Sequence, residues 1–323
     1  MEAEIYTNDR HWVGSIGRTL LRSSTISDDL LMTDLAEYRL LTVRQLAALQ
    51  QKRERTIQKR VNKLLKQDLV QCLSRGCISK RGRPEQVISL TENAVRKLRA
   101  METLVLSRSA RHVLAEGVPR EHQLLVNWFR VCLVNGVRIV PEISVQFLAP
   151  TSPFLERGDD DLPTISDQVE APSGEIVRFI PDGVFILGDR DQGKTILFFL
   201  EVDMGTEPLT SARGRRNDVA QKLFNYKTYY HSERYKRYEH RWQCRFRGFR
   251  LLLLASTADR CAALCRLVRD CEPADFIWLT DQSKLLAQGA TAKIWMRGGH
   301  VEEPPRSVFG SRAPDAATGS PVV

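Results

Sequence analysis

The feature that most constrains this chain is a set of short, nearly unbroken apolar runs in its second half: "VFIL" at 184–187, "ILFFL" at 196–200, "LLLLA" at 251–255 and "FIWL" at 276–279. Each run has the length of a strand. None alternates apolar with polar residues, so each reads as a strand covered on both faces. The first two are joined by "GDRDQG", a turn-rich hexamer that predicts a hairpin. The last two are separated by "ADRCAALCRLVRD" (258–270), an amphipathic helical pattern, and a basic helical pattern extends over 213–238. Strands alternating with helices pack as a sheet layered by helices, so residues 113–297 are expected to form an α/β domain with an αβββαβ core. Its first helix is "PREHQLLVNWFRVCLVNG", with Leu124, Leu125, Trp128, Phe129 and Leu133 on the apolar face, and a loop is expected over 149–175. No run approaches the ~20 apolar residues that span a bilayer.

The first half follows a different pattern. Leu30, Leu31, Leu35 and Tyr38 mark one helix, and Val43, Leu46, Ala47 and Leu49 a second, with Thr42 as its N-cap. After the turn "QKRER", "TIQKRVNKLLKQ" places Ile57, Val61, Leu64 and Leu65 on one face and Arg55, Gln58, Lys59, Asn62, Lys63 and Lys66 on the other. Those polar side chains are of the kinds that reach phosphates and base edges from a helix in the major groove. Two strands (69–73 and 85–90) flank "SRGCISKRGRP", a loop whose Arg75, Lys80, Arg81 and Arg83 would lie against the DNA backbone or minor groove. Helix, helix, basic helix, strand, basic loop, strand is the order of a winged helix-turn-helix, expected over 28–112. The flanks, 1–27 and the Pro/Gly/Ser/Ala-rich 298–323, are expected to be flexible and disordered. The chain as a whole is thus α/β (α+β overall).

Charge is segregated along the chain. The net charge is +9, but residues 51–111 hold 16 basic against 5 acidic side chains, 151–203 hold 4 against 12, and 211–250 hold 12 against 3. Basic blocks of this kind fit double-stranded DNA, where each neutralised phosphate releases counterions; they also fit solvated helix faces. Seven scattered cysteines, and an opening "MEAEIYTNDR" with neither basic start nor apolar run, predict a reducing, cytoplasmic setting. Cys261 and Cys265, four apart on a helix, read as buried small apolar residues and not as metal ligands.

Within the acidic block, "FFLEVDMGTEP" places Glu201 and Asp203 two apart on a strand, hence on one face. A hairpin centred on 188–194 sets Asp182 opposite Glu201. Three carboxylates converging there would repel one another, and a hard cation such as Mg²⁺ would relieve the repulsion and activate water for phosphodiester attack. The same spacing also fits a simpler arrangement, with Asp182 starting a strand after Pro181 and Glu201 and Asp203 pairing with Lys or Arg of the next helix.

Taken together, "YRLLTVRQLAAL", "RTIQKRVNKLLKQDLV", "GRPEQVISLT", "EHQLLVNWFRVCL", "PDGVFIL" and "FFLEVDMGTEPL" with "KLFNYKTYY" resemble the replication-relaxation family of plasmid and mobile-element proteins over roughly residues 36–255. That resemblance implies DNA association in replication, relaxation or mobilisation, with other replication proteins or a second copy of the chain as further partners. The second half also resembles the PD-(D/E)xK nucleases. By that resemblance Pro181-Asp182 matches the PD element and Glu201 the acid of E-x-K, which implies a Mg²⁺-dependent endonuclease or nickase. Asp203 stands where the lysine belongs. Some members of that superfamily carry the lysine on the following helix, where Lys222 is the candidate and Lys227 the next; Glu121 would be an additional acid. The alternative is a winged-helix transcriptional regulator whose nuclease-like domain is inactive and serves DNA or protein contacts. The six histidines are dispersed, with no Tyr beside a His pair, which argues against a self-contained rolling-circle nickase.

Overall fold

The computed structural model describes residues 28–73, 85–100, 119–171, 174–211 and 218–313. The expected wing residues Arg75, Lys80, Arg81 and Arg83, like the expected flexible segment 1–27, lie outside them. The chain is a mixed α/β protein with nine α-helices among the described residues.

The N-terminal part runs α1 (Asp28–Tyr38), β1 (Leu40–Thr42), α2 (Val43–Gln50), α3 (Glu54–Lys66), β2 (Val70–Leu73), β3 (Val87–Leu90) and α4 (Glu92–Ala100). Its three strands form an antiparallel sheet in the order β1-β3-β2. Thr42 starts α2 with a full capping box: its hydroxyl accepts from the Gln45 amide, and the Gln45 side chain accepts from the Thr42 amide. Gln51, in the left-handed region at φ 51°, ends α2 and turns the chain into α3. Strand β1 is not expected from the sequence: it is three residues long and is set up by Arg39, whose positive φ breaks the chain out of α1.

The C-terminal part is built on α5 (Arg120–Ile139), β4 (Ile143–Leu148), β5 (Asp167–Glu170), β6 (Ile176–Phe179), β7 (Gly183–Asp189), β8 (Lys194–Asp203), α6 (Val219–His231), α7 (Arg237–Trp242), β9 (Phe249–Ala255), α8 (Ala258–Arg269), β10 (Ile277–Asp281), α9 (Gln282–Gln288) and β11 (Met296–Arg297). Six strands form one sheet, β11-β10-β9-β8-β7-β4. β4, β7 and β8 are an antiparallel meander; β8, β9 and β10 run parallel. The apolar runs occupy its centre: Phe185, Phe198 and Leu252 face α5, while Phe199, Leu251 and Leu253 face α6 and α8.

Three expectations are corrected. The expected loop over 149–175 is not loop throughout: it holds β5, which pairs with β6 just beyond it in a two-stranded hairpin, and Pro181, which lacks an amide proton, separates β6 from β7. The basic helical pattern is not continuous: α6 ends at His231, Glu233 takes a left-handed conformation, and a short 3-10 turn at Arg234–Lys236 leads into α7. The expected tail from 298 is not all disordered, since residues 298–313 are placed. There Val308 and Phe309 are buried beside Trp295, and Trp295 exchanges backbone hydrogen bonds with Arg306.

Helix α5 joins the two parts. Its apolar residues lie in one continuous core with Leu31, Leu35, Leu46 and Ile57 of the N-terminal part, which is why it is buried nearly all round. Asn127 donates to the carbonyls of Tyr38 at 3.1 Å and Leu40 at 2.6 Å; Gln45 donates to the Leu124 carbonyl at 2.8 Å. Arg130 is fully buried, paired with Glu37, and stacked 4.0 Å from the Tyr38 ring centre and 5.0 Å from that of Phe147. Gly136 sits so close to Thr291 that an added Cβ would lie 2.4 Å from its methyl group.

Candidate functional site

The hairpin β7–β8 pairs Gly183 with Leu200, and one step further the same register sets Asp182 across from Glu201. Both acids line a cleft of about 230 Å³ at the end of the sheet, together with His122, Asp203, Glu207 and Lys222. Helices α5 and α6 enter it by their first turns, carrying His122 and Lys222.

Asp182 is held at one oxygen: Oδ2 accepts the Val202 amide at 2.8 Å and stands 3.1 Å from Nε2 of His122. Glu201 is 7% exposed; its Oε1 accepts the Tyr226 hydroxyl at 2.6 Å, and its Oε2 stands 3.3 Å from Nζ of Lys222. Lys222 also reaches Oε2 of Glu207 at 3.4 Å. The lysine expected from the following helix is therefore in the cleft, against the acid of strand β8. Lys227 does not line it. Glu121 does not line the cleft, and its neighbour His122 does.

The electrostatics follow from burial against pairing. Burial pushes the Glu201 carboxyl up to about 7, although Lys222 and the Tyr226 hydroxyl pull the other way. Glu201 and Glu207 hold the Lys222 ammonium above its ordinary range, against its own partial burial. For His122, burial opposes the charged ring, but the hydrogen bond and charge of Asp182 outweigh it and raise its pKa.

Asp203 departs from the expectation that three carboxylates converge. It shares a face with Glu201, but Arg260 of α8 binds it through two parallel hydrogen bonds, Nε to Oδ1 and Nη2 to Oδ2, each 2.9 Å. The same Nη2 donates to the Glu207 carbonyl at 2.6 Å. A fork-to-fork pair neutralises the acid and uses both its oxygens, so Asp203 docks α8 against the end of β8. Among the described residues no three His, Cys, Asp or Glu side chains gather as a metal-binding group. Asp182 and Glu201 remain as hard oxygen donors on the cleft wall, of the kind that Mg²⁺ takes, with both Glu201 oxygens engaged by Tyr226 and Lys222.

The second candidate surface is α3. Ile57, Val61 and Leu64 are buried; Arg55, Lys59, Asn62, Lys63 and Lys66 are exposed, and Gln58 is half-buried. Gln58 donates to Asn62 at 3.0 Å and to Gln86 at 3.2 Å. Lys63 is not an unengaged cation: Asp28 of α1 bonds it at 2.6 Å and Arg60 at 2.9 Å. Those two cations hold the Asp28 carboxyl below its ordinary range despite the cost of its partial burial.

Sequence reasoning missed His122, Tyr226, Glu207 and Arg260. Tyr226 was accessible, since it lies four residues after Lys222 and so shares its helix face. Glu207 lies in the quoted stretch itself, six residues after Glu201; His122 and Arg260 come from elements distant in sequence, and no local spacing announces them.

A family model described as replication-relaxation matches residues 32–242, from α1 through the cleft to the end of α7. No curated protein and no solved structure matches the chain.

Proposed function

We infer the function from one premise: the chain belongs to the replication-relaxation family, whose match covers the basic helix α3 and the acidic cleft alike. As such it acts in DNA replication or relaxation. We propose that it is a DNA-binding protein of a plasmid or integrative element, that residues 28–100 work as a winged helix with α3 in the major groove, and that the cleft nicks the bound DNA. The observation that carries the cleavage reading is the meeting of Asp182, Glu201 and Lys222 in one cleft, with Lys222 within 3.3 Å of Glu201. The succession α5, β4, β7, β8, α6, β9 follows the αβββαβ order of the PD-(D/E)xK nucleases and supports the same reading.

In this mechanism the two carboxylates would hold Mg²⁺, which when bound polarises a phosphoryl oxygen and lowers the pKa of its water. The chain supplies the rest. The Lys222 ammonium sets a donor beside the negative charge that develops on phosphorus-bound oxygen. His122 and the Val202 amide orient Asp182, and Tyr226 orients Glu201. The helix α3 brings the duplex to the protein through Arg55, Lys59 and Lys66. Supercoiled plasmid incubated with Mg²⁺ is expected to yield nicked circles, with Asp182→Ala and Glu201→Ala inactive but still bound to DNA.

One observation favours a second reading. Each acid already faces an internal basic side chain: His122 for Asp182, Lys222 for Glu201 and Arg260 for Asp203. A domain balanced in this way suits a regulator that contacts DNA and leaves it intact. Binding without nicking across Mg²⁺ and Mn²⁺ would select it.

A further inference from the structure

A second cavity, of about 610 Å³, lies at the opposite end of α6, where the β5–β6 hairpin, the loop around 158–166 and the start of α7 meet. Its wall carries Arg178, Arg234 and Arg237. Arg237 is built in. Its Nε stands 2.7 Å from Oδ1 of the buried Asp167, and its Nη2 donates to the carbonyls of Thr164 at 2.9 Å and Ser166 at 3.1 Å. Asp167 is saturated by this contact and by the hydroxyls of Tyr229 at 2.8 Å and Tyr238 at 2.9 Å. Its charge is therefore spent on fixing Arg237.

The other two arginines are held only loosely. Arg234 reaches the Gln168 carbonyl at 3.3 Å, and Arg178 reaches Asp160 at 3.5 Å with its side chain 63% exposed. Arg178 is also one of only 4 basic residues among the 12 acids of 151–203, so its place beside two arginines of another segment is a product of the fold. Three guanidinium groups around one concavity, with one acid saturated and one at the rim, leave an excess of planar donor forks. That geometry matches the oxygens of a phosphate.

We propose that this cavity binds a backbone phosphate of the same DNA that occupies the cleft. The placement supports DNA over a free nucleotide. Lys222 and Tyr229, which lines the cavity, are seven positions apart on α6, about 10 Å at helical rise, or about three phosphates along one strand of a duplex. Both stand in the stretch 211–250, which has 12 basic against 3 acidic residues. The inference rests on the reading of the chain as a DNA-binding protein, and its test separates the two.

Fluorescence anisotropy with a labelled duplex would compare the full chain, an Arg178→Ala/Arg234→Ala variant and a Lys59→Ala/Lys66→Ala variant over a salt series. The arginine variant is expected to bind about tenfold more weakly and to lose about one from the salt slope, the value for one phosphate contact, with its melting temperature unchanged. Arginine-to-lysine replacement at both positions should restore much of the slope. Unchanged affinity and slope in the arginine variant, with the lysine variant weakened, would overturn the cavity as a DNA site and leave α3 as the interface. Thermal stabilisation by inorganic phosphate or ATP that needs Arg178 and Arg234, without any change in duplex binding, would overturn it in favour of a free phosphate ligand. A chain that binds no duplex would overturn both this inference and the proposed function.

Discussion

At the residue scale the account turns on how each acid is balanced. Burial raises the Glu201 carboxyl to about 7, so the folded chain binds that proton more tightly than the unfolded chain does. Stability contributed by this group is therefore present below the unfolded pKa near 4.5 and declines as the pH rises toward about 7. Glu201→Gln should remove that part of the pH dependence: between about pH 5 and about pH 7.5 the wild-type melting temperature falls by more than the variant's. Parallel melting curves would remove Glu201 as their source. Asp28 has the opposite character. It engages Arg60 and Lys63 on α3, so if α3 holds the duplex as proposed, Asp28→Asn should release both cations, tighten duplex binding and steepen its salt dependence by about one phosphate equivalent. The pairing of Asp182 with Glu201 could be read from the hairpin spacing alone. The fate of Asp203 could not, because it is decided by Arg260, 57 positions away.

At the scale of elements, α5 carries the most structural consequence. One helix presents His122 to the cleft and Asn127 and Arg130 to the N-terminal part. Arg130→Ala leaves Glu37 buried without its cation, with Ser152 as its remaining hydrogen-bond partner. The loss expected for breaking one side of a buried pair is about 3–5 kcal/mol, measured by denaturant unfolding. A loss under about 1 kcal/mol, the range of exposed pairs, would mean that the pair does not hold the two parts together. The central strands were legible in the sequence because an uninterrupted apolar run has few other uses. The hairpin β5–β6 was not, since its strands are short, polar on one side and run into Pro181. The break at Glu233 was equally hidden: the helical pattern continues through it, and only the backbone shows the left-handed turn.

At the scale of the whole molecule, the segregated charge of the sequence becomes a spatial division. Basic side chains cover α3 and line the α6–α7 side, and the acids that face inward meet at the end of the sheet. The family match runs through both regions, so the surface that would hold DNA and the cleft that would act on it lie within one matched extent of chain. Among the described residues no helix is long and apolar enough to cross a membrane. The proposed cleavage has Lys222 serve where Asp203 stands in the lysine's position, and nicking by a Lys222→Met variant reads that role out. The account predicts that the wild-type protein converts supercoiled plasmid to nicked circles with Mg²⁺, and that Lys222→Met binds the same plasmid equally well but nicks it at least about a hundredfold more slowly, the scale of losing one transition-state donor. A variant that nicks at the wild-type rate, or a wild-type protein that binds the plasmid and leaves it closed, would contradict it.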